Sequence, residues 1–205
     1  MPTQEPRIYL ASRSPRRREL LTQIGVHFEP LLFRGSPRLD AEVLEDVLPD
    51  EAPENYVRRV ALAKADHGAL LWKKRSVSRR LVLSADTTID IDGEIIGKPR
   101  DEADALAILR RLSGRTHRVL TAVALSDDAK TESLLSISEV RFRALADDEI
   151  RRYILSGEPM DKAGAYGIQG RAAMFVEEIR GSHSGIVGLP LCETVLLLRR
   201  FNYPI

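Results

Sequence analysis

Short apolar runs alternate with helix-period stripes through the first half of the chain, and longer strand-like stretches fill the second half. The run Ile8-Tyr9-Leu10-Ala11 predicts a first strand and residues 28–33 a second. Between them Ser14 stands as an N-cap and Pro15 as the first residue of an amphipathic helix closed by Gly25. Residues 34–52, rich in proline and acid, read as a loop. A helix is expected over 53–71, with Tyr56, Val57, Val60 and Ala61 as its apolar stripe and Lys64 on that stripe near the middle. Residues 72–80 form a basic connector. Leu81-Val82-Leu83 is short enough for a buried strand that ends on Ser84-Ala85 and then a carboxylate, Asp86. A hairpin follows, turning at Asp92-Gly93 and returning over 94–96.

Asp101 is placed to cap a further helix that stops at Ser113-Gly114. Strands are predicted over 116–126 and 133–143, joined by a turn at Asp127-Asp128, then a helix over 147–156 whose first residues are acidic. A strand over 174–179 and a last helix over 191–200 complete the chain, with no internal repeat. Helix and strand alternate first and strands dominate later, so the expectation is an α/β protein with a mixed sheet flanked by helices.

At 205 residues the chain fits one domain, or one domain with two lobes. Hydrophobic content of 43% supplies a core that needs no covalent staples. The single cysteine, Cys192, has no partner in the chain, and its apolar neighbours suggest a packed structural thiol. No run is long enough to span a bilayer and the first residues lack an apolar signal core, so a cytoplasmic protein without membrane contact is expected. A net charge of +1 argues against a dedicated nucleic-acid binder.

Three stretches carry candidate chemistry. Ser12-Arg13-Ser14-Pro15-Arg16-Arg17-Arg18 puts arginines at a helix start, where each cation costs about 0.3–1 kcal/mol against the helix dipole unless an anion offsets it. A solvated basic turn is the plainer alternative. The central hairpin carries Asp86 at the end of its buried strand and Lys98 where it exits; a surface hairpin with an acidic rim competes with a ligand site. Residues 161–170 read Asp-Lys-Ala-Gly-Ala-Tyr-Gly-Ile-Gln-Gly, with glycine at every third position from Gly164, which lets backbone approach a ligand closely. Spacing excludes the dinucleotide fingerprint and the phosphate-binding Walker loop. The four histidines lack partners at telling spacings. Cations for a polyphosphate, a carboxylate to activate water or hold a divalent ion, and the Gln169 amide to read a base edge together suggest hydrolysis of a phosphate ester or anhydride.

The segments LASRSPRRRELL, SADTTIDIDGEIIGKPR, LSGRTHRVLTAVAL and EPMDKAGAYGIQG, in that order, resemble the Maf family of nucleoside triphosphate pyrophosphatases. The resemblance runs from about residue 8 to 201, within one domain taken as 1–205. It implies a twisted sheet with a deep cleft between two lobes, related to the inosine triphosphatase-like fold. It also implies hydrolysis of a nucleoside triphosphate to monophosphate and pyrophosphate with a divalent cation, Mg²⁺ or Mn²⁺, and homodimers in many members. The resemblance places the catalytic acid on Asp86, and substrate-binding positions on Ser12, Arg17, Lys64, Lys98, Asp161 and Lys162. Arg16, Thr87 and Gln169 match the subtype that resembles the dTTP/UTP pyrophosphatases. Many members carry an acidic pair after the second strand; this chain is longer there and reads Val43-Leu44-Glu45-Asp46, with Glu45 the better fit as a metal-binding acid beside Asp86. The competing class is a nucleotide- or nucleic-acid-binding regulator of septum formation, an association that the family name carries.

Overall fold

The structure, a computed structural model, describes residues 6–31, 45–74, 78–127 and 129–205, the side chains of 72–74 excepted. Parts of the expected second strand, of the acidic loop, of the basic connector and of the Asp127-Asp128 turn lie outside the described residues.

The sheet is built around β3 (Val82–Ile91), a continuous ten-residue strand. On one side it pairs along nearly its whole length with antiparallel β5 (Thr116–Ser126), which pairs with β6 (Thr131–Phe142) and that in turn with β7 (Val176–Arg180). The other edge is shared. β1 (Ile8–Leu10) lies parallel to Val82 and Leu83, with β2 (Phe28–Pro30) outside it, and β4 (Glu94–Ile96) folds back antiparallel on Ile89 to Ile91. Residues 84–88 therefore have no strand on that edge among the described residues. The sheet is mixed, because α1 (Pro15–Gln23) and α2 (Pro53–Lys74) provide the crossovers that parallel strands require.

Alternation along the strands assigns the faces. Leu120, Ala122 and Ala124 pack on Val57, Ala61 and Ala65 of α2. On the opposite face two apolar clusters form. One joins Leu83, Ala85, Val123 and Leu125 to α1 and to α6 (Leu191–Arg200). The other joins Ile89, Ile91 and Val119 to α3 (Glu102–Leu112) and α4 (Asp147–Ile154). Thr87 and Thr121, directly opposite each other in the pairing, fall between the two clusters on that face. A polar seam thus divides two lobes of core.

Local signals produced the elements expected of them. Asp92 and Gly93 both take positive φ (59° and 84°), as a two-residue hairpin turn needs, and Asp90 Oδ1 accepts the Gly93 N–H at 2.7 Å. Asp101 caps α3 by accepting the Asp104 N–H at 2.7 Å. Other expectations change. β3 does not end at Ser84-Ala85, because its polar residues find partners inside: Ser84 Oγ donates to the Ala61 carbonyl at 2.6 Å, and Asp86 meets a lysine. Asp86 is consequently in mid-strand. α2 continues to Lys74 and shortens the basic connector. A five-residue helix, α5 (His183–Val187), had no advance signal beyond Ser182, whose Oγ accepts the Gly185 N–H at 3.0 Å. Cys192 is exposed rather than packed, since α6 buries Thr194, Leu197 and Leu198 instead.

Candidate active site

The open edge of β3 is flanked by the turn that follows β1, carrying Ser12 to Arg17, and by Gly97-Lys98 after β4. Into this gap the fold brings charged side chains from four elements.

Asp86 is only 8% exposed, and its Oδ1 accepts a hydrogen bond from Lys64 Nζ of α2 at 2.9 Å. The cation partner that a buried carboxylate needs is therefore Lys64, not its hairpin neighbour Lys98. Among the described residues nothing bonds Asp86 Oδ2. Lys64 Nζ also meets Glu45 Oε1 at 2.7 Å, so two carboxylates converge on one ammonium. Burial opposes ionisation of Glu45, but Lys64, then Lys98 and Arg17, outweigh it and hold its carboxyl below the usual range. Lys98 itself is exposed. α2 also fixes the Glu45 backbone: the Tyr56 hydroxyl donates to the Glu45 carbonyl at 2.9 Å and Arg59 Nη2 to the Asp46 carbonyl at 2.8 Å. Burial, then the nearby Asp86 and Glu45 charges, push the Tyr56 phenol up to about 12, so it serves as a neutral donor.

Arg17 turns inward from the first turn of α1. Its Nε donates to the Gly188 carbonyl at 2.7 Å, Nη1 to Ser12 Oγ at 3.4 Å and Nη2 to Thr87 Oγ1 at 3.3 Å. Thr121 Oγ1 donates to the Gly185 carbonyl at 2.8 Å, so its 3.0 Å contact with Thr87 Oγ1 uses the Thr87 hydroxyl as donor. The order Arg17, Thr87, Thr121, Gly185 is one directed chain across the polar seam. All three Arg17 acceptors are neutral, and burial lowers its pKa, with Asp86 opposing and Arg16 adding to the effect. A guanidinium held this way is suited to an anion from outside the chain. The α1 N-terminus agrees: Ser14 makes no side-chain cap bond, its own N–H goes to Ser12 Oγ at 3.2 Å, and no acid lies in the first turn.

A second group lies on residues 158–171. Asp161 Oδ1 meets Lys162 Nζ at 2.6 Å, and Asp161 Oδ2 is 4.0 Å from Arg16 Nη1. Burial acts against the Asp161 charge, yet Lys162 and Arg16 hold its pKa below the ordinary value. The glycines here do not open a path to a ligand. A Cβ at Gly164, Gly167 or Gly170 would overlap Ile89, Lys162 or the Glu158 carboxylate, so the close approach they allow is to the protein's own side chains. Gln169 is exposed and its side chain has no partner among the described residues.

The sequence-predicted residues thus fall into three contacting sets: Ser12, Arg17 and Thr87; Glu45, Lys64 and Asp86; Arg16, Asp161 and Lys162. Lys98 joins the second through charge, and Gln169 is in contact with none. Thr121, Tyr56 and the Gly185 and Gly188 carbonyls were missed; Tyr56 was assigned to the apolar stripe, and the others depend on pairings remote in sequence. His117 offers no base, because it lies in the core with Nε2 2.8 Å from the Tyr166 hydroxyl, and burial lowers its pKa to about 4.

Among the described residues no three His, Cys, Asp or Glu side chains form a closed metal cage. Glu45 and Asp86, both bonded to one Nζ, still fit a hard divalent ion of the kind held by one or two carboxylates plus substrate phosphates.

An α/β protein with a cation-lined gap beside a buried strand carboxylate has the makings of a phosphate-ester or anhydride hydrolase, and the comparisons agree. A family profile described as Maf-like protein matches residues 7–201, so the chain belongs to the Maf-like family. It is 65% identical over 202 residues, 98% of each chain, to the dTTP/UTP pyrophosphatase of Aromatoleum aromaticum (strain DSM 19018 / LMG 30748 / EbN1). With the dTTP/UTP pyrophosphatase of Dechloromonas aromatica (strain RCB) it shares 60% identity over 197 residues, 96% of this chain and 98% of the other. The structure of the Staphylococcus aureus Ham1 protein aligns over 96% of this chain and 97% of its own at 12% identity and a TM-score of 0.47. No helix among the described residues is long and apolar enough to cross a membrane.

Proposed function

We propose that the chain is a nucleoside triphosphate pyrophosphatase that converts dTTP, UTP and related pyrimidine nucleotides to the monophosphate and pyrophosphate, clearing the cytoplasmic nucleotide pool. The observation that carries this reading is the convergence of Lys64 on Asp86 and Glu45 beside the neutral-bonded Arg17, at the open edge of β3. The 65% identity to a dTTP/UTP pyrophosphatase supports the substrate.

In this reading Arg17, Arg16, Lys98 and Lys162 receive the polyphosphate, with the α1 N-terminus and Ser12 beside them. Asp86 takes a proton from a water whose oxygen attacks the α-phosphorus. The bond from that phosphorus to the bridging oxygen breaks, and pyrophosphate leaves with the electron pair. Lys64 holds the Asp86 carboxylate in place until then. Glu45 and Asp86 would hold Mg²⁺ or Mn²⁺, which when bound supplies positive charge against the phosphates. Thr87 and Gln169 face the choice of base. The family resemblance carries a homodimer as well, for which sedimentation of the purified chain is the check.

The test is pyrophosphate release from dTTP, UTP, ATP, GTP and methylated GTP, each with and without Mg²⁺ or Mn²⁺. Metal-dependent release that is faster from the two pyrimidine nucleotides is expected. No release from either with both metals, or equal release from all five, would overturn the reading.

A further inference from the structure

One carboxylate near the site is committed in a way that the reaction does not explain. Glu158 opens the 3₁₀ turn Glu158–Asp161, behind Gly157 at φ 72°. A surface glutamate is ordinarily solvated, but here both oxygens are bonded by neutral donors of the chain: Oε1 accepts the Tyr153 hydroxyl at 3.0 Å and Oε2 the Arg171 N–H at 3.0 Å. The Glu158 carbonyl accepts from Lys162 Nζ at 2.6 Å. The Tyr153 hydroxyl also accepts the Gly167 N–H at 3.3 Å. Gly170 lies so close to the Glu158 carboxylate that a Cβ would overlap it. Anchors thus fall at 167, 170 and 171, on both sides of Gln169, which itself bonds nothing among the described residues.

We propose that Glu158 is the positioning residue for nucleobase selection: its carboxylate is the mould on which residues 167–171 are cast, and its carbonyl sets the Lys162 ammonium in the same frame. This rests on the reading of Gln169 as the base-reading amide. An exposed amide selects between bases only if its backbone is fixed, because a mobile one turns to suit either edge. Glutamate suits the task because two donors need two acceptor oxygens, which a carboxylate supplies without offering a competing donor.

The experiment is steady-state kinetics of the full chain with UTP and GTP for Glu158→Ala, Glu158→Gln, Tyr153→Phe and Gln169→Ala, each with a thermal melt. Glu158→Ala should raise KM for UTP by about tenfold with kcat within about threefold, and lower the UTP:GTP ratio of kcat/KM by a similar factor. Glu158→Gln retains an acceptor for the Arg171 N–H but turns a donor toward the Tyr153 hydroxyl, and should restore only part of the ratio. Should Glu158→Ala not fold, Tyr153→Phe removes the hydroxyl shared by Glu158 and Gly167 and should move the ratio the same way by less. An unchanged ratio in folded Glu158→Ala or Tyr153→Phe overturns the proposal, as does a fall in kcat that is equal for both nucleotides at constant KM. Gln169→Ala separates the two readings: a ratio that moves with Glu158→Ala but not with Gln169→Ala leaves Glu158 as the positioning residue and removes Gln169 as the reader.

Discussion

The Asp86 region and the 157–171 region both present polar side chains to the site, but they are built on opposite principles. Asp86 sits in the middle of β3, paired to β5 on one edge, and reaches a lysine 22 positions away, while Arg17 reaches Thr87 across 70 positions and Gly188 across 171. The bonds around Glu158 span only 4, 5, 13 or 14 positions, although the same segment is tied to the rest of the fold by the Gly164 N–H on the Gly97 carbonyl and by Tyr166 on His117. The first region cannot move without the sheet. In the second, the bonds that Glu158 makes close nearby along the chain, and they can be altered while the sheet stands. In the proposed reading the acid Asp86 and its lysine lie in the first region and Gln169 in the second, so variants of these residues should separate rate from selectivity.

Asp86→Asn should give the largest effect. Asparagine keeps the shape but takes no proton, so pyrophosphate release should fall by about 10²–10⁴-fold with the base preference unchanged. A folded Asp86→Asn protein with near-normal turnover would remove Asp86 from its assigned role.

Lys64→Met comes next and reads the same region through its cation. The pair is largely buried, with side chains 14% and 11% exposed, and its loss leaves Asp86 facing Glu45. Breaking such a pair costs about 3–5 kcal/mol where burial is complete, and less here because Glu45 is half exposed. The melting temperature should drop, and turnover should fall on the order of 10²-fold. If the two carboxylates hold a divalent ion, Mg²⁺ or Mn²⁺ should raise the variant's melting temperature more than the parent's. An equal shift in both proteins would count against Glu45 and Asp86 as the ligands.

This contrast also explains what the sequence revealed. Asp92-Gly93 and Asp101 carry their meaning within four residues, and the hairpin and α3 follow from them. The identity of Asp86 as the buried acid was legible from its apolar approach, but its partner was not. Lys98 is nearer along the hairpin, yet Lys64 arrives because α2 packs on the even-numbered face of β3. The register that sets Thr87 against Thr121 depends on β4 and α3 lying between them in sequence, and no local pattern encodes it. The spacing of Gly164, Gly167 and Gly170 was visible, but not that side chains of the protein itself occupy the space they leave.

Gln169→Glu should touch only the second region. A uracil or thymine edge presents carbonyl acceptors beside an N–H donor, and a carboxylate has nothing to donate to those carbonyls. UTP turnover should fall by about tenfold or more, equivalent to one lost hydrogen bond at about 1–3 kcal/mol, with little change in melting temperature. An unchanged UTP:GTP ratio would mean that the base is read elsewhere.

Arg16→Ala should give the smallest effect, and it probes where the two regions meet. Arg16 and Arg17 are adjacent in α1 but belong to different neighbourhoods: Arg17 is tied to the sheet by three hydrogen bonds, whereas Arg16 stands 4.0 Å from Asp161 in the loop. Asp161 is exposed and shared with Lys162, so this contact is worth about 0–1 kcal/mol. Against it stand the repulsion from Arg17 and the helix dipole, together about the same size. The two sides nearly cancel, and Arg16→Ala should leave the melting temperature within about 2 °C of the parent. Turnover at low UTP should still fall by roughly threefold to tenfold, since one charge on the polyphosphate is lost. Arg17→Ala, by contrast, should lower both, because it leaves the Gly188 carbonyl without its donor. If Arg16→Ala melts clearly lower than the parent, the 4.0 Å contact is holding the loop to α1, and the two regions are not independent.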